Sequence, residues 1–170
     1  MDALVVFWML LGITIYLTIV TGIKMYKQLI YDKNRIIQDL CKSIEENDIV
    51  TCIDIVRKHP QYINSYNNDG YTPFMIACAC GNNPLVTLML NSGADVKLKS
   101  LQQESPFYLA AFYLVKNPHY KNATCIRQLY YAGADIDEPN AHGKTPLQMA
   151  SMFGNKDLVK WLLLKNASIT

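Results

Sequence analysis

Hydrophobic and polar positions divide this chain into two unlike parts. From Ala3 to Ile23 no side chain is charged, and twelve of the positions are Leu, Ile, Val or Phe. As a helix that run covers about 31 Å, enough to cross a hydrocarbon core of about 30 Å once. Each such residue favours insertion by about 0.3–0.6 kcal/mol near the helix centre, so the pattern predicts a transmembrane signal-anchor helix over residues 1–23. Trp8 stands near one end of it, and Tyr26 and Tyr31 lie just past the other, where amphipathic rings favour the interface. Thr14, Thr18 and Gly22 share one face. They read either as a small-residue pairing face or as threonines bonded back to their own helix.

A cleaved signal peptide needs its positive charges before a shorter apolar run. Here Lys24, Lys27, Lys33 and Arg35 all follow the run. Positive flanks stay cytoplasmic, which predicts an outside N-terminus and a cytoplasmic remainder. Residues 24–35 form a basic juxtamembrane linker without Gly or Pro, a composition that permits the helix to continue. The membrane is left open among endoplasmic reticulum, plasma membrane and mitochondrial outer membrane.

Beyond the linker the pattern repeats. Thr72-Pro73 returns as Ser105-Pro106 after 33 positions and as Thr145-Pro146 after a further 40, while Gly93-Ala94-Asp95 returns as Gly133-Ala134-Asp135 and, altered, as Asn166-Ala167-Ser168. Thr or Ser before Pro suits a capped helix start, and Pro suits the first helical turn. Ala77, Ala110 and Ala150 leave room for close helices, and Leu85, Val86, Met89 and Leu90 form a second helix's apolar stripe. Gly93 and Gly133 suit a left-handed exit. Upstream, Ile37, Leu40, Cys41 and Ile44 mark one helical face and Cys52, Ile53 and Val56 another.

A 33-residue period with these features resembles the ankyrin-repeat family over about residues 36–170. The resemblance implies an all-α solenoid of about four helix-turn-helix units joined by β-turn tips and preceded by the one transmembrane helix. The units fall at 36–68 (degenerate), 69–101, 102–140 (with an insertion near 115–122) and 141–170. The family's turn histidine is replaced by Met75, Tyr108 and Gln148, of which only Gln148 is expected to substitute in part for its hydrogen bonds. The turn glycine, present as Gly70 and Gly143, is Gln103 in the third unit, where a positive φ would be strained.

The resemblance also implies a concave surface built from the turn tips and the last turn of each first helix. The helix positions are Ala79 and Cys80, Phe112 and Tyr113, and Met152 and Phe153. Such positions are commonly polar in the family; here most are large and apolar. Phe112, Tyr113, Met152 and Phe153 are therefore expected to anchor a protein partner, with Tyr71, Glu104, His142 and Lys144 as a polar rim. Coverage by the insertion is the alternative.

Composition adds exclusions. A formal charge of +2 gives no footprint for nucleic acid. The five cysteines have no disulfide-framework or zinc spacing and read as reduced thiols, with no metal or other cofactor expected. His59, His119 and His142 are not placed near a nucleophile and a carboxylate, and no phosphate loop or nucleophile elbow occurs, so neither an enzyme nor a small-molecule substrate is expected. The expected role is a membrane-tethered adaptor, scaffold or inhibitor. The alternatives are an accessory subunit recognised through its transmembrane helix, an immunity-type inhibitor of a toxin, and a secreted domain. Asn122-Ala123-Thr124 and Asn166-Ala167-Ser168 are glycan acceptor sequences by which the last can be tested.

Overall fold

Capped helix starts and left-handed exits recur along the chain and cut it into hairpins. The computed structural model describes residues 3–120 and 122–168, with side chains from Phe7 onward. Met1, Asp2, Lys121 of the insertion and the final two residues lie outside that description, as do the side chains at 3–6 of the expected span. The described residues form eight α-helices and one 3₁₀ turn, with no strand among them. The helices are α1 (Ala3–Glu45), α2 (Ile49–Lys58), α3 (Pro73–Ala79), α4 (Asn83–Asn91), α5 (Pro106–Lys116), α6 (Thr124–Tyr131), α7 (Pro146–Met152) and α8 (Lys156–Leu164). The 3₁₀ turn, Pro60–Tyr62, follows α2.

Two units make up the chain, one up to Ile36 and one from Ile37. In the first, α1 is the one described helix long and apolar enough to cross a membrane, and its apolar window has no buried side chain. Its threonines do not project free hydroxyls: Thr14 Oγ donates to the Leu11 carbonyl and Thr18 Oγ to the Ile15 carbonyl, each at 2.8 Å. Thr21 Oγ likewise donates to Leu17 at 2.9 Å. Residues 24–35 are helical throughout.

The second unit is a stack of helical hairpins around one core. Ile37, Leu40, Cys41 and Ile44, at the end of α1, are buried with Cys52 and Val56 of α2, while Ile53 is half-buried. The pairs α3–α4, α5–α6 and α7–α8 follow, burying Phe74, Leu85, Met89, Phe107, Ile126, Leu129 and Leu162 almost completely. Thr72, Ser105 and Thr145 cap α3, α5 and α7 by accepting from the N–H groups of Met75, Tyr108 and Gln148 at 3.1–3.2 Å. Each is followed by its proline. Capping of this kind contributes about 1 kcal/mol per helix.

Exits are equally regular. Gly93 and Gly133 have φ of 89° and 88°, and Asn166 takes the same conformation at 63°. Asn tolerates the left-handed region better than most residues, so the altered third copy keeps its geometry. Adjacent hairpins are stapled by side-chain bonds to the backbone. Asn64 bridges the Gly93 carbonyl and the Asp95 N–H at 2.9 Å, and Asp137 accepts from both the N–H and the hydroxyl of Ser168 at 2.8 Å. Gln103 does adopt a positive φ, 59°.

Among the turn residues that replace histidine, Tyr108 departs from expectation. Gln148 Oε1 accepts from the Thr145 N–H at 3.1 Å within its own turn, and the Met75 sulfur receives the Thr72 N–H at 3.5 Å. Tyr108 makes the tie between neighbouring tips: Asn140 Nδ2 donates to its hydroxyl at 3.1 Å. Its phenol is long enough to span two turns, which corrects the expectation that Gln148 alone could substitute.

Candidate interaction surface

Phe112 and Phe153 come from different hairpins, one from the last turn of α5 and the other from the residue after α7. Their rings meet edge to face with centroids 6.3 Å apart, and both remain open to solvent, at 38% and 52%. Lys116, one turn beyond Phe112, sets its ammonium 5.3 Å from that ring and 5.1 Å from the Phe153 ring. An aromatic pair of this geometry is worth about 0.5–1.5 kcal/mol and an exposed cation over a ring about 0.5–1 kcal/mol. The rings are thus held before anything binds, which lowers the entropy lost on binding.

Met152, 64% exposed, continues the apolar surface toward α8. With Lys144, Leu147, Ser151, Val159 and Leu163 it borders an open trough of about 510 Å³. Lys144 Nζ approaches the Met152 sulfur at 3.3 Å. The trough was not legible in the sequence, because Val159 and Leu163 fall where Val86 and Leu90 stand in the apolar stripe of the earlier second helix. Leu163 is exposed and Val159 half-buried, and no further described helix covers that side of α8.

Tyr113 is placed elsewhere. Its ring lies against Gly81, where a Cβ would come within 2.2 Å of it, and Tyr120 of the insertion meets it edge to face at 5.3 Å. Asn83 Nδ2 donates to the Tyr120 hydroxyl at 3.0 Å, so the insertion folds back on the preceding hairpin. Tyr113 is half-buried as a result, while Phe112 and Phe153 are not covered.

The remaining rim positions pair along the tips. Tyr71 donates its hydroxyl to Glu104 Oε2 at 3.0 Å, and Ser100 donates to the same oxygen at 3.4 Å. Burial, and then the bond to Glu104, push the Tyr71 phenol above its usual range. His142 is exposed at the last tip, its N–H donated to Asn140 Oδ1 at 3.0 Å. Successive tips touch, with the Ala141 N–H donating to the Gln102 carbonyl at 2.8 Å.

Every shifted thiol and phenol is held in its protonated form. Burial pushes Cys41 up to about 12 and Cys52 up to about 11, and Cys78 is raised well above the ordinary thiol range by burial and by its contact with Cys125. That is the reverse of what activation of a nucleophile requires. All five cysteines are free, and no group of three or more His, Cys, Asp or Glu among the described residues is arranged to hold a metal. His59 stacks on Tyr62 at 5.8 Å, and His119 is exposed in the insertion.

Stacked, capped hairpins with an exposed face across their first helices define a repeat protein that presents a surface. Residues 36–137 match the family model for ankyrin repeats in three copies, and residues 112–163 match a second model for ankyrin repeats in many copies. The chain belongs to the ankyrin-repeat family, and its repeats make it a protein–protein interaction module. It is 33% identical over 110 residues to the tyrosine-protein kinase HTK16 of Hydra vulgaris, covering 63% of this chain and 14% of that protein. It is 26% identical over 132 residues to the rat ankyrin repeat and SAM domain-containing protein 6, covering 78% of this chain and 10% of that one. With the human transient receptor potential cation channel subfamily A member 1 it shares 34% identity over 103 residues, 59% of this chain and 9% of the channel. The chain thus spans only about a tenth of the length of these curated relatives. Proteins so differently named share a stretch of scaffold with it, and a scaffold does not by itself carry a function.

Proposed function

We propose that this protein is a membrane-tethered ankyrin-repeat adaptor that holds a protein partner against the face centred on Phe112, Phe153 and Met152. The observation that carries the reading is the aromatic pair: two large rings from neighbouring hairpins, fixed edge to face under one lysine and left open to solvent. Aromatic side chains held in place are the residues on which binding energy concentrates. Tyr71, Glu104, His142 and Lys144 supply the polar margin, with Tyr113 supporting the surface from behind through its contact with Gly81. The tether is α1, with residues 3–23 in the bilayer and the basic flank from Lys24 on the cytoplasmic side.

The test is crosslinking capture from native membranes, comparing the wild-type chain with Phe112→Ser combined with Phe153→Ser. The partner recovered with wild type is expected to be lost, while thermal unfolding shows the variant still folded. Undiminished capture by a folded variant refutes the surface. A second arm replaces residues 1–23 by an unrelated anchor. Retained capture supports the adaptor, and loss assigns recognition to the helix, as in an accessory subunit. Glycan added at Asn122 in a eukaryotic host would overturn the cytoplasmic orientation.

A further inference from the structure

We infer that the membrane-exit turn of α1 carries a site for an anionic phospholipid, formed by Lys24, Lys27, Gln28 and Tyr31 below Val20 and Ile23; the inference rests on the reading that residues 3–23 span a bilayer. These six residues line one open groove along the helix. The position of the positive charges is what singles it out. Counting from Ile23 at about 1.5 Å per residue, Lys24 and Lys27 lie about 1.5 and 6 Å beyond the apolar run. The polar headgroup layer is about 5–8 Å deep on each side of the hydrocarbon core, so both ammonium groups fall inside it. Lys33 and Arg35 lie about 15 and 18 Å out, beyond that layer.

Lys24 and Lys27 are also on neighbouring faces, about 60° apart around the helix, and Tyr31 sits two turns past Lys24 on the same side. A single lipid can therefore lay its acyl chain along Val20 and Ile23 while its phosphate meets two ammonium groups. The Gln28 amide, about 7.5 Å past Ile23, is placed to donate to the rest of the headgroup, while Tyr31, about 12 Å out, lines the far end of the groove. All four polar residues are exposed. Gln28 Nε2 donates to Asp32 Oδ1 at 3.0 Å, so the nearest carboxylate, whose backbone lies about 13 Å past Ile23, is engaged by that amide and leaves two lysines set against one acid. No acidic residue precedes it between Ala3 and Tyr31 to cancel the lysines. A zwitterionic lipid offers the same phosphate with a compensating cation. The net negative headgroup of phosphatidylserine is what this arrangement selects.

The experiment uses the full chain reconstituted in phosphatidylcholine bilayers with a trace of spin-labelled phosphatidylserine or spin-labelled phosphatidylcholine, reading the motionally restricted fraction by electron paramagnetic resonance. Each lysine near an anionic surface is expected to raise association about fivefold at low salt. Phosphatidylserine should be held at least that much better than phosphatidylcholine, with the preference shrinking as salt screens it. Lys24→Gln with Lys27→Gln should abolish the preference, Lys24→Arg with Lys27→Arg should keep it, and Lys33→Gln should leave it within about twofold. Equal association of the two lipids with wild type, or selectivity that survives the double glutamine change, overturns the site. Displacement by soluble glycerophosphoserine would assign the groove to a free headgroup and overturn the lipid assignment. Alkaline carbonate extraction separates this failure from that of the tether: an embedded protein without selectivity sinks the lipid site alone, whereas an extracted protein sinks both.

Discussion

Two glycines at equivalent turns give a matched test of how the insertion packs. Gly81, between α3 and α4, and Gly154, between α7 and α8, have φ of 65° and 72°. Around Gly154 a Cβ would meet nothing within 4 Å, whereas at Gly81 it would lie 2.2 Å from Tyr113 Cε1. Alanine in the left-handed region costs about 1–2 kcal/mol. About 0.4–1 kcal/mol of that is offset by the smaller entropy of the unfolded chain. Gly154→Ala should therefore destabilise by about 0.5–1 kcal/mol. Gly81→Ala must in addition displace a ring backed by Tyr120 at 5.3 Å, and overpacking of that kind costs about 1–3 kcal/mol more. The assay is equilibrium urea unfolding of the full chain in detergent, followed by far-ultraviolet circular dichroism. With a slope of about 1–3 kcal/mol per molar urea, the two midpoints should separate by about 1 M, within a range of about 0.3–3 M. In a Tyr113→Ala background the cost of Gly81→Ala should drop to that of Gly154→Ala. Equal costs in the wild-type background would refute the proposed seat of Tyr113 on Gly81.

Two further outcomes follow from the strained tip and the buried thiols. Gln103→Gly relieves a left-handed side chain at φ 59° and should stabilise the chain by about 0.5–1 kcal/mol in the same urea titration, and a loss of stability would contradict the strain. At high pH the unfolded chain releases protons from Cys41 and Cys52 near their ordinary value of 9.0, while the folded chain holds them up to about 12 and about 11. Their contribution is fully present below about pH 9 and is lost as pH rises toward 11–12, so the unfolding midpoint should fall across that window. The decline should be shallower in Cys41→Ala with Cys52→Ala. Rapid reaction of both native thiols with a disulfide reagent near pH 8 would refute their burial.

The hairpins were legible because capping and exits are local chemistry. Thr72-Pro73, Ser105-Pro106 and Thr145-Pro146 each act within one turn, and the same holds for Gly93 and Gly133. What a side chain touches 30 or 40 positions away was not legible. Family register placed Tyr113 on the open face beside Phe112, and only the path of the insertion, returning Tyr120 over Gly81, turns it inward. A signal was available: Gly81-Asn82 recurs as Gly154-Asn155, with both asparagines capping the second helix, and the third unit has no counterpart. Its α6 has Ala123 at the N-cap, which offers no side-chain cap, and Asn122 Oδ1 accepts from the Thr124 N–H at 2.9 Å instead, marking where the insertion replaces the ordinary turn. Lys116 was likewise missed, since its placement over two rings depends on where the next hairpin sets Phe153.

The rings of Phe112 and Phe153 also straddle a seam between two stacked hairpins. In a linear array each unit leans only on its neighbours, and a unit with one flank uncovered is the first to peel away. Among the described residues, the pair α7–α8 has such a flank along Val159 and Leu163. A partner seated on both rings would clasp that hairpin to the one before it. Occupancy would then be written into amide exchange along α7 and α8, far beyond the footprint of the contact itself.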